Sequence, residues 1–294
     1  MAIYRLAVLA DIHGNLPAFE AVIEALESDE PLDGILVAGD ILGGPGQRVI
    51  LQTLIDLKAV MIQGNGEQRV IKILTGTAPD YYYTSLQFSL PRWVGDQLTD
   101  AQRVYLKMLP EQRVFQLPGS DPIRMVHGSP RKVDELVLPS RDCHPNLYYE
   151  PVMLHEVIDP SLEPVIIFGH THLPWVAHIN EKLAFNPGAV NFPENDYIGA
   201  QYALLEWDGV QWKPSFHQIP YDLERLKRDY QESGLLSASP LARVMLQSVL
   251  TGRDFLPVYF QHVRQVANKA GSVKSAHFPD DVWEQAERTF PWMI

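Results

Sequence analysis

The sequence predicts an α/β fold in which a largely parallel sheet is covered by helices. Short apolar runs of β-forming residues lie at 4–10, 33–40 and 59–65, and segments with apolar residues at helical spacing lie between them at 16–28 and 47–57. This alternation is typical of parallel strands joined by crossover helices. In such sheets ligands bind beyond the carboxyl ends of the strands. We therefore expect functional residues where each apolar run ends.

The segment that follows interrupts this alternation. Residues 67–74 continue as a helix, whereas residues 75–118, which include the aromatic run DYYY at 80–83, predict an aromatic-rich loop with one or two helices. We expect this insertion to form a cap at the edge of the site.

Further strands are predicted in the second half of the chain. Apolar runs at 123–129, 164–172 and 176–188 are typical of strands, and the run at 200–219 predicts a hairpin that turns at the DG dipeptide. Helical patterns prevail after residue 220, and no internal repeat or flexible linker is present.

The pattern predicts one main domain and a helical extension. We expect a domain of residues 1–220, which contains the cap of residues 75–118, and a helical C-terminal extension of residues 221–294 packed on it. The extension either covers an edge of the site, restricts access to it, or forms the contact of a homo-oligomer.

Composition and charge exclude several classes of protein. The 294 residues have a formal net charge of −12, which argues against broad binding to nucleic acid or to an anionic membrane. No apolar run approaches the roughly 18 residues that a membrane span needs, and the first residues predict a strand rather than a leader. Cys143 is the single cysteine, so no internal disulfide can form. We expect a cytoplasmic protein with no membrane partner.

Polar residues that can bind metal ions follow the apolar strands. They are Asp11, His13, Asp40, Asn65, His127, His170 and His172. Residues two apart at a strand end can point to the same side, so the pairs 11/13 and 170/172 can each offer two ligands to one site. Carboxylate, imidazole and amide ligands without a thiol suit manganese, iron or zinc.

Each of these pieces alone is also typical of a turn. Aspartate and asparagine after glycine are common turn dipeptides, and a histidine at a strand end is commonly a partly buried structural residue. Their occurrence at successive strand ends of one chain favours a metal site over a series of unrelated turns.

The ordered motifs resemble those of the calcineurin-like metallophosphoesterases. They are DIHGN (11–15), GD (39–40), GNGE (64–67), HG (127–128) and GHTH (169–172), and the later NPGAV (186–190) is similar to the compact bacterial phosphodiesterase and diadenosine-tetraphosphatase-like subgroup. The resemblance covers about residues 3–220. It implies a four-layer α-β-β-α sandwich of two mixed sheets.

The resemblance also implies two divalent metal ions with a bridging carboxylate. It assigns Asp11, His13 and His172 to the first ion, Asn65, His127 and His170 to the second, and Asp40 to both. We expect manganese, with iron, zinc, nickel or magnesium as alternatives. A metal-bridging hydroxide would attack phosphorus in line with the leaving oxygen, without a covalent enzyme intermediate.

One position departs from the resemblance. Many family members have a histidine after the asparagine, where it is thought to contact phosphate and protonate the leaving group, whereas this chain has Gly66. General acid catalysis typically contributes about 10²–10⁴-fold, and poor leaving groups need it most. The departure favours phosphodiesters or phosphoanhydrides over alkyl monoesters. His144, in a polar loop, is the candidate replacement acid, and an exposed loop histidine is its alternative interpretation.

Several further features have two interpretations. Asn15 is a candidate substrate contact and equally a natural N-cap for the first helix. Glu67 either holds the preceding turn or caps the following helix, and the cap is favoured. The tyrosines of the run 80–83 (Tyr81, Tyr82 and Tyr83) either stack on a base or pack the cap on the core. The glycine-rich run 43–47 lacks the lysine and serine of a nucleotide P-loop and predicts a turn beside the metals. The remaining histidines are interpreted as structural or exposed: His155, His178, His217, His262 and His277.

The leading hypothesis is a metal-dependent phosphoric ester hydrolase that cleaves phosphodiester or phosphoanhydride bonds in a small substrate such as a nucleotide. A phosphomonoesterase and a non-catalytic scaffold of the same fold are the alternatives, and the seven intact ligand positions favour the enzyme. A nuclease for long DNA or RNA is disfavoured by the acidic balance.

Overall fold

The computed structural model describes residues 3–141, 150–158, 161–271 and 277–293. The strands within these ranges are β1 (Tyr4–Leu9), β2 (Gly34–Val37), β3 (Val60–Met61), β4 (Gln112–Phe115), β5 (Ile123–Val126), β6 (Val137–Leu138), β7 (Val152–Met153), β8 (Val165–Ile167), β9 (Pro174–Ile179), β10 (Lys182–Pro187), β11 (Ala200–Trp207) and β12 (Trp212–Ile219). The α-helices are α1 (Leu16–Glu27), α2 (Gln47–Asp56), α3 (Asn65–Leu74), α4 (Tyr81–Thr84), α5 (Ser89–Gln97), α6 (Asp100–Met108), α7 (Leu154–Val157), α8 (Leu223–Glu232), α9 (Leu235–Ala238), α10 (Pro240–Thr251), α11 (Leu256–Lys269) and α12 (Asp280–Thr289).

Two five-stranded mixed sheets form the centre of the molecule. The first has the strand order β12-β11-β1-β2-β3, and the second has the order β4-β5-β8-β10-β9. Strands β1, β2 and β3 are parallel, and the antiparallel hairpin β11–β12 extends the sheet beside β1. The predicted hairpin is therefore confirmed, and the predicted parallel arrangement holds for the first three strands of a mixed sheet.

The strands of the second sheet complete the sandwich. Strands β5, β8 and β10 are parallel, while β4 and β9 pair antiparallel at the two edges. The run 176–188, predicted as a strand, belongs to the two strands β9 and β10. They are separated by Asn180 and Glu181, whose φ angles of 49° and 64° reverse the chain.

Alternate residues of the strands separate the layers, because successive side chains point to opposite faces of a sheet. Leu6 and Val8 of β1 lie in a core between the two sheets together with Ile167 of β8. Ala7 and Leu9 face the helices that cover the first sheet. Helix α7 packs on the outer face of the second sheet. The four-layer α-β-β-α sandwich is thus confirmed.

The segment 75–118 contains more regular structure than predicted. It includes α4, a 3₁₀ turn at Leu86–Phe88, α5, α6 and also β4, which pairs with β5 in the second sheet. The sequence prediction missed β4 because its residues, QRVF, are mostly exposed and have no buried apolar alternation.

The C-terminal helices pack on one another and on the segment 75–118. Leu226 and Tyr230 of α8 belong to a core against which Leu90 of α5 packs. The Asp280 carboxylate accepts a hydrogen bond from the Leu86 N–H at 2.7 Å, which ties α12 to the 3₁₀ turn. Among the described helices, none combines the length and the apolar character that crossing a membrane requires.

Candidate metal centre

The loops at the carboxyl ends of both sheets converge on one site. Asp11 and His13 follow β1, Asp40 follows β2, and Asn65 begins α3 just after β3, all in the first sheet. The second sheet supplies the other three candidates: His127 after β5, and His170 and His172 after β8. Parallel strands end on the same edge, so the topology itself brings these residues together.

Five of these seven residues have a left-handed backbone. The φ angles are 53° at Asp11, 43° at His13, 49° at Asp40, 70° at His170 and 54° at His172. A left-handed conformation costs a non-glycine residue roughly 1–2 kcal/mol. Strained conformations of this kind cluster at functional sites, where the surrounding structure enforces them.

Asp11, His13 and His172 form the first group of candidate ligands. One ligand atom from each lies within 4.8 Å of the others. The His172 Nε2 atom is 3.4 Å from Asp11 Oδ1 and 3.3 Å from His13 Nε2. Both imidazoles therefore direct a nitrogen to the same buried carboxylate.

Asp40, His127 and His170 form the second group, again with ligand atoms within 4.8 Å of one another. Asp40 Oδ2 is 3.5 Å from His127 Nε2 in this group and 3.6 Å from His13 Nε2 in the first group. Asn65 joins the second group, since its Oδ1 lies 3.2 Å from His127 Nε2. Asp40 thus lies between the two groups, at the position expected of a bridging carboxylate.

Backbone carbonyls orient two of the imidazoles. His127 Nδ1 is 2.7 Å from the Ala38 carbonyl oxygen, and His172 Nδ1 is 3.1 Å from the Phe192 carbonyl oxygen. A ring that donates its Nδ1–H to a carbonyl presents Nε2 on its other side, as metal-binding histidines commonly do. In both residues that Nε2 faces the carboxylates.

Backbone N–H groups hold the carboxylates in the same way. The Gly66 N–H donates to Asp40 Oδ1 at 2.8 Å, and the His170 N–H donates to Asp11 Oδ2 at 3.0 Å. The second bond links the two sheets at the site, because Asp11 follows β1 and His170 follows β8.

Glu67 fixes the loop of Asp40 from beneath. Its buried carboxylate accepts hydrogen bonds from the N–H groups of Asp40 at 2.8 Å, Leu42 at 2.9 Å and Gly64 at 2.7 Å. The bond from Gly64 caps α3, as favoured from the sequence, and the other two hold the neighbouring strand-end loop. Burial, together with the Asp40 carboxylate, raises the pKa of Glu67 to about 7.

Burial keeps two of the histidines neutral. It lowers the pKa of His13 to about 4 and the pKa of His170 to about 3, because the charged imidazolium loses its hydration. Both rings therefore have a free nitrogen lone pair at neutral pH, which is the form that binds a metal ion.

The other two histidines are paired with carboxylates. Burial disfavours protonation of His127, but the adjacent Asp40 carboxylate outweighs it and raises the pKa of His127 to about 9. Asp11 likewise outweighs burial and raises the pKa of His172 to about 10. Burial by itself would raise the pKa values of Asp11 and Asp40. The neighbouring histidines outweigh it and hold both pKa values below their usual range. The two carboxylates therefore favour positive charge beside them.

The fold and this convergence of motifs agree with a comparison against known families. The family model described as the calcineurin-like phosphoesterase superfamily domain matches residues 4–209, which include all seven candidate ligands. The chain belongs to this superfamily. The resemblance inferred from the motifs is thus confirmed.

Individual known proteins are similar to this chain at low identity. Phosphodiesterase YfcE of Escherichia coli K12 is 23% identical over 206 residues, which are 69% of this chain and 88% of YfcE. The metallophosphoesterase of Sphaerobacter thermophilus matches with a TM-score of 0.61 at 23% identity, over 84% of this chain and 99% of that one. The hypothetical protein PH1004 of Pyrococcus horikoshii OT3 matches with a TM-score of 0.67 at 22% identity, over 85% and 99%. The two structures confirm the fold, and the similarity to YfcE supports the phosphodiesterase-like subgroup.

Calcineurin-like phosphoesterases use divalent metal ions, and the donor set of this chain fits such ions. Each group offers one carboxylate and two imidazoles, and the Asn65 amide oxygen lies beside the second. Such oxygen and imidazole donors suit several first-row cations, so the ligands do not select one metal. That these seven residues bind metal remains a prediction, which their arrangement supports.

A cleft of about 700 Å³ opens over the candidate metal centre. This volume is typical of small-molecule sites, which range from about 300 to 1,000 Å³. One side is formed by the segment 75–118 and another by the C-terminal helices, with Asp134, Glu135, Leu136, Glu150 and Val152 at the third. The cleft is therefore lined both by the candidate metal centre and by two regions without motifs, the segment 75–118 and the C-terminal helices.

Gly66 lies in the wall of this cleft, at the first turn of α3. A Cβ atom at this position would be 3.0 Å from Asp40 Oδ1, which is tighter than ordinary contact. Among the described residues, the histidines that line the cleft are the candidate ligands His13, His170 and His172. His144, the predicted replacement acid, and Cys143 lie outside the described residues.

Asn15 requires a correction, because the structure places it beneath the site and not in the cleft. Its Oδ1 accepts the Ala18 N–H at 3.1 Å, so it is the N-cap of α1. Its side-chain N–H₂ donates to Asn191 Oδ1 at 2.8 Å and to the Tyr221 hydroxyl at 3.0 Å, and the residue is 1% exposed. With these partners and this burial, Asn15 has a structural role and no free group for a substrate.

The glycine-rich run 43–47 forms a turn beside the centre, as predicted. A Cβ atom on Gly44 would lie 2.4 Å from the His13 carbonyl oxygen, so only glycine permits this approach. Of the tyrosines, Tyr82 lines the cleft and stacks on Phe88 with ring centroids 3.7 Å apart. The five histidines outside the motifs do not line the cleft.

Two residues near the centre escaped the sequence analysis. Phe192 stacks on His13 with ring centroids 5.0 Å apart, and its carbonyl orients His172. Glu194 lines the cleft, where burial and the neighbouring Asp254 raise its pKa to about 8. The one indication in the sequence was that both residues follow shortly after the NPGAV motif. The residue type of Phe192 does not itself indicate a role beside a metal centre.

Proposed function

We propose that the protein is a divalent-metal-dependent hydrolase of phosphodiester or phosphoanhydride bonds. The position of Asp40 supports this most strongly, since one carboxylate oxygen lies 3.5–3.6 Å from a histidine of each group. A single carboxylate shared by two ligand groups is the arrangement that a two-metal site needs. The similarity to YfcE, which is named as a phosphodiesterase, supports the diester reaction.

The residues would divide the work as the resemblance implies. The first ion would be held by Asp11, His13 and His172, the second by Asn65, His127 and His170, and both by Asp40. When bound, two divalent ions supply Lewis-acid stabilisation of the phosphate and an activated water for in-line displacement. The neutral His13 and His170 are ready to bind, whereas His127 and His172 must first release a proton.

The surroundings of the leaving group favour stable leaving groups. Gly66 supplies only a backbone N–H, which is engaged by Asp40. No described histidine other than the candidate ligands lines the cleft. Neither Gly66 nor a described histidine outside the candidate ligands can therefore protonate a leaving oxygen, which favours aryl diesters and phosphoanhydrides over alkyl monoesters.

Hydrolysis of bis-p-nitrophenyl phosphate tests the proposal. Purified protein loaded with manganese, iron, zinc, nickel or magnesium is assayed beside an Asp40→Asn variant, and bound metal is measured by elemental analysis. We expect turnover by the wild type and its loss, with reduced metal content, in the variant. Asp56→Asn, on the exposed end of α2, is the matched control for loss of one carboxylate and should retain activity.

The same assay separates the alternative functions. Faster turnover of p-nitrophenyl phosphate than of the diester would favour a phosphomonoesterase. No turnover of either compound by wild-type protein with two bound metal ions would favour the non-catalytic scaffold.

We also propose that the substrate is a small phosphorylated compound and not a long nucleic acid, and that the protein acts in the cytoplasm. The net charge of −12 supports the exclusion of long nucleic acids, because binding to polynucleotides relies on clustered basic residues. Salt-sensitive binding to single-stranded DNA or RNA would contradict it.

A further inference from the structure

The cleft over the candidate metal centre has a polar floor and an apolar roof. The roof is built by residues that are distant in the sequence and that no motif marks: Phe88, Leu90 and Val94 from the segment 75–118, and Leu241, Leu256 and Phe260 from the C-terminal helices. Leu90, Leu241 and Leu256 are only half-buried. They thus keep apolar surface facing the cleft, next to the site where a phosphate would bind.

The charged residues of the cleft are unequal in sign. Apart from the candidate ligands, the acidic residues that line it are Asp134, Glu135, Glu150, Glu194 and Asp254, of which Glu194, with its pKa raised to about 8, is mostly protonated at neutral pH. Among the described residues, Arg69 is the one lysine or arginine that lines the cleft. Beyond the metal centre itself, a bound anion therefore meets a single guanidinium.

Salt bridges to residues outside the lining pair three of these five acids. Asp134 pairs with Lys132 at 3.0 Å, and Glu135 pairs with Arg131 at 3.1 Å. Glu150 pairs with Arg141. These basic residues do not line the cleft, so they neutralise the acids without offering sites to a phosphate chain.

Arg69 is placed to contact a phosphate at the metal centre. It lies three residues after Gly66 on α3, and residues at this spacing share one face of a helix. A Cβ atom on Gly66 would lie 3.0 Å from Asp40 Oδ1, so that face begins at the candidate metal centre. Arg69 is exposed and, within the described part of the chain, forms no salt bridge. A free guanidinium is well suited to phosphate oxygens.

We propose that the cleft selects a phosphodiester with one phosphate and an apolar or aromatic non-leaving group over a dinucleoside polyphosphate. Arg69 contacts the phosphate, and the roof holds the organic group. Each additional phosphate of a polyphosphate would place another negative charge beside apolar side chains, without a second basic residue among the described residues of the cleft, so the loss of hydration opposes it. The inference rests on the proposed function, because it concerns the substrate of the same site.

A matched pair of substrates tests the roof. Bis-p-nitrophenyl phosphate and methyl p-nitrophenyl phosphate have the same charge and the same leaving group, and differ only in an aryl or methyl non-leaving group. With manganese, and after division by the uncatalysed rates, we expect kcat/KM to be at least about tenfold higher for the aryl compound. We expect kcat/KM for diadenosine tetraphosphate to be lower than for bis-p-nitrophenyl phosphate.

Two sets of variants, each with its own control, assign the effect to residues. Leu256→Ser and Leu241→Ser should each reduce the aryl-to-methyl ratio severalfold, whereas Val258→Ser, an exposed position of α11, should leave it unchanged. Arg69→Gln should raise KM for both diesters by about tenfold without changing their ratio, because it removes a charge-assisted hydrogen bond common to both. Arg48→Gln, exposed on α2, is its control.

The outcomes distinguish the inference from the proposed function. An aryl-to-methyl ratio near one in the wild type, an unchanged ratio in both leucine variants, or a preference for diadenosine tetraphosphate would overturn the inference while the phosphoesterase remains. An unchanged KM in Arg69→Gln would remove that residue from the phosphate site. No hydrolysis of any of the compounds by metal-loaded protein would overturn both proposals.

Discussion

The strand-end loops and the roof of the cleft are opposite kinds of structure that meet at one site. The loops contain short motifs whose residues adopt left-handed backbone conformations and are fixed by hydrogen bonds to buried backbone groups. The roof consists of ordinary apolar residues on helices, brought together by packing between the segment 75–118 and the C-terminal helices. Neither the local conformation nor the chemistry of the roof residues distinguishes them from a hydrophobic core.

The difference suggests how the two parts determine function. A reaction class depends on a few donor atoms at fixed distances, which strained loops on rigid strands can provide. Selectivity for an organic group depends on the shape of an apolar surface, to which many side chains contribute a little. Single substitutions in the loops should therefore cause large losses of activity. Single substitutions in the roof should cause smaller, graded changes in substrate selectivity.

The largest effect is expected from His170→Gly in the loops. Substitution of a residue that hydrogen-bonds to a metal ligand typically lowers activity by about 10–100-fold, and loss of a candidate ligand itself should lower it by more. Glycine adopts the backbone conformation at φ 70° more readily than histidine does. Without metal, the free energy of unfolding of the variant should therefore exceed that of the wild type by up to about 1 kcal/mol. Kinetic assays with manganese and chemical denaturation in chelator measure the two changes.

His178→Gly is the control for this substitution. His178 is exposed in strand β9, where glycine should cost about 0.5–1 kcal/mol and leave activity unchanged. Full activity of His170→Gly would contradict its role as a ligand. A large loss of metal-free stability would contradict the view that the left-handed conformation stores strain.

The same difference explains how much the sequence could predict. The motifs located all seven candidate ligands, because Asp, His and Asn at successive strand ends are unusual and their residue types are informative. The strands β1, β2, β5 and β8 were predictable from apolar runs. The roof was not, because Leu241 and Leu256 follow the same helical periodicity as core residues, and only the packed structure shows which of them face a cleft.

Asn15 and Glu67 show the limit of motif reasoning within the loops themselves. Both lie in the motifs, and both are buried beneath the site with their polar groups bonded to the protein. A motif therefore indicates proximity to the centre, while contact with a substrate depends on the direction in which the fold points each side chain.

Glu67→Gln should give the next largest effect. The carboxylate accepts three backbone N–H groups, and an amide would turn its own N–H₂ toward at least one of those donors. We expect a loss of about 1–3 kcal/mol in the free energy of unfolding, and about 10–100-fold lower activity because the Asp40 loop loses its support. Glu24→Gln, exposed on α1, should change neither quantity. Wild-type stability in Glu67→Gln would show that these bonds contribute little.

A smaller, continuous effect is expected from pH. In metal-free protein His127 and His172 keep their protons up to pH values of about 9 and 10, while His13 and His170 are already neutral at pH 7. Each ion must displace one proton, so its apparent affinity should rise about tenfold per pH unit through the neutral range and fall on acidification. Titration calorimetry in buffers of different ionisation enthalpy measures the protons released. Metal occupancy that stays constant between about pH 5 and 8 would contradict the expectation.

The smallest effect is expected at Gly66, where the loops meet the cleft. Because Gly66 offers no acidic side chain to the leaving group, wild-type rates should fall steeply from p-nitrophenyl to phenyl leaving groups. Gly66→His would place an imidazole there and should make that fall less steep, although its Cβ, 3.0 Å from Asp40 Oδ1, should lower activity on the p-nitrophenyl diester. Gly66→Ala has the same Cβ without the imidazole and is the matched control. If both variants show the same dependence on the leaving group, the side chain at this position does not govern which bonds the site can break.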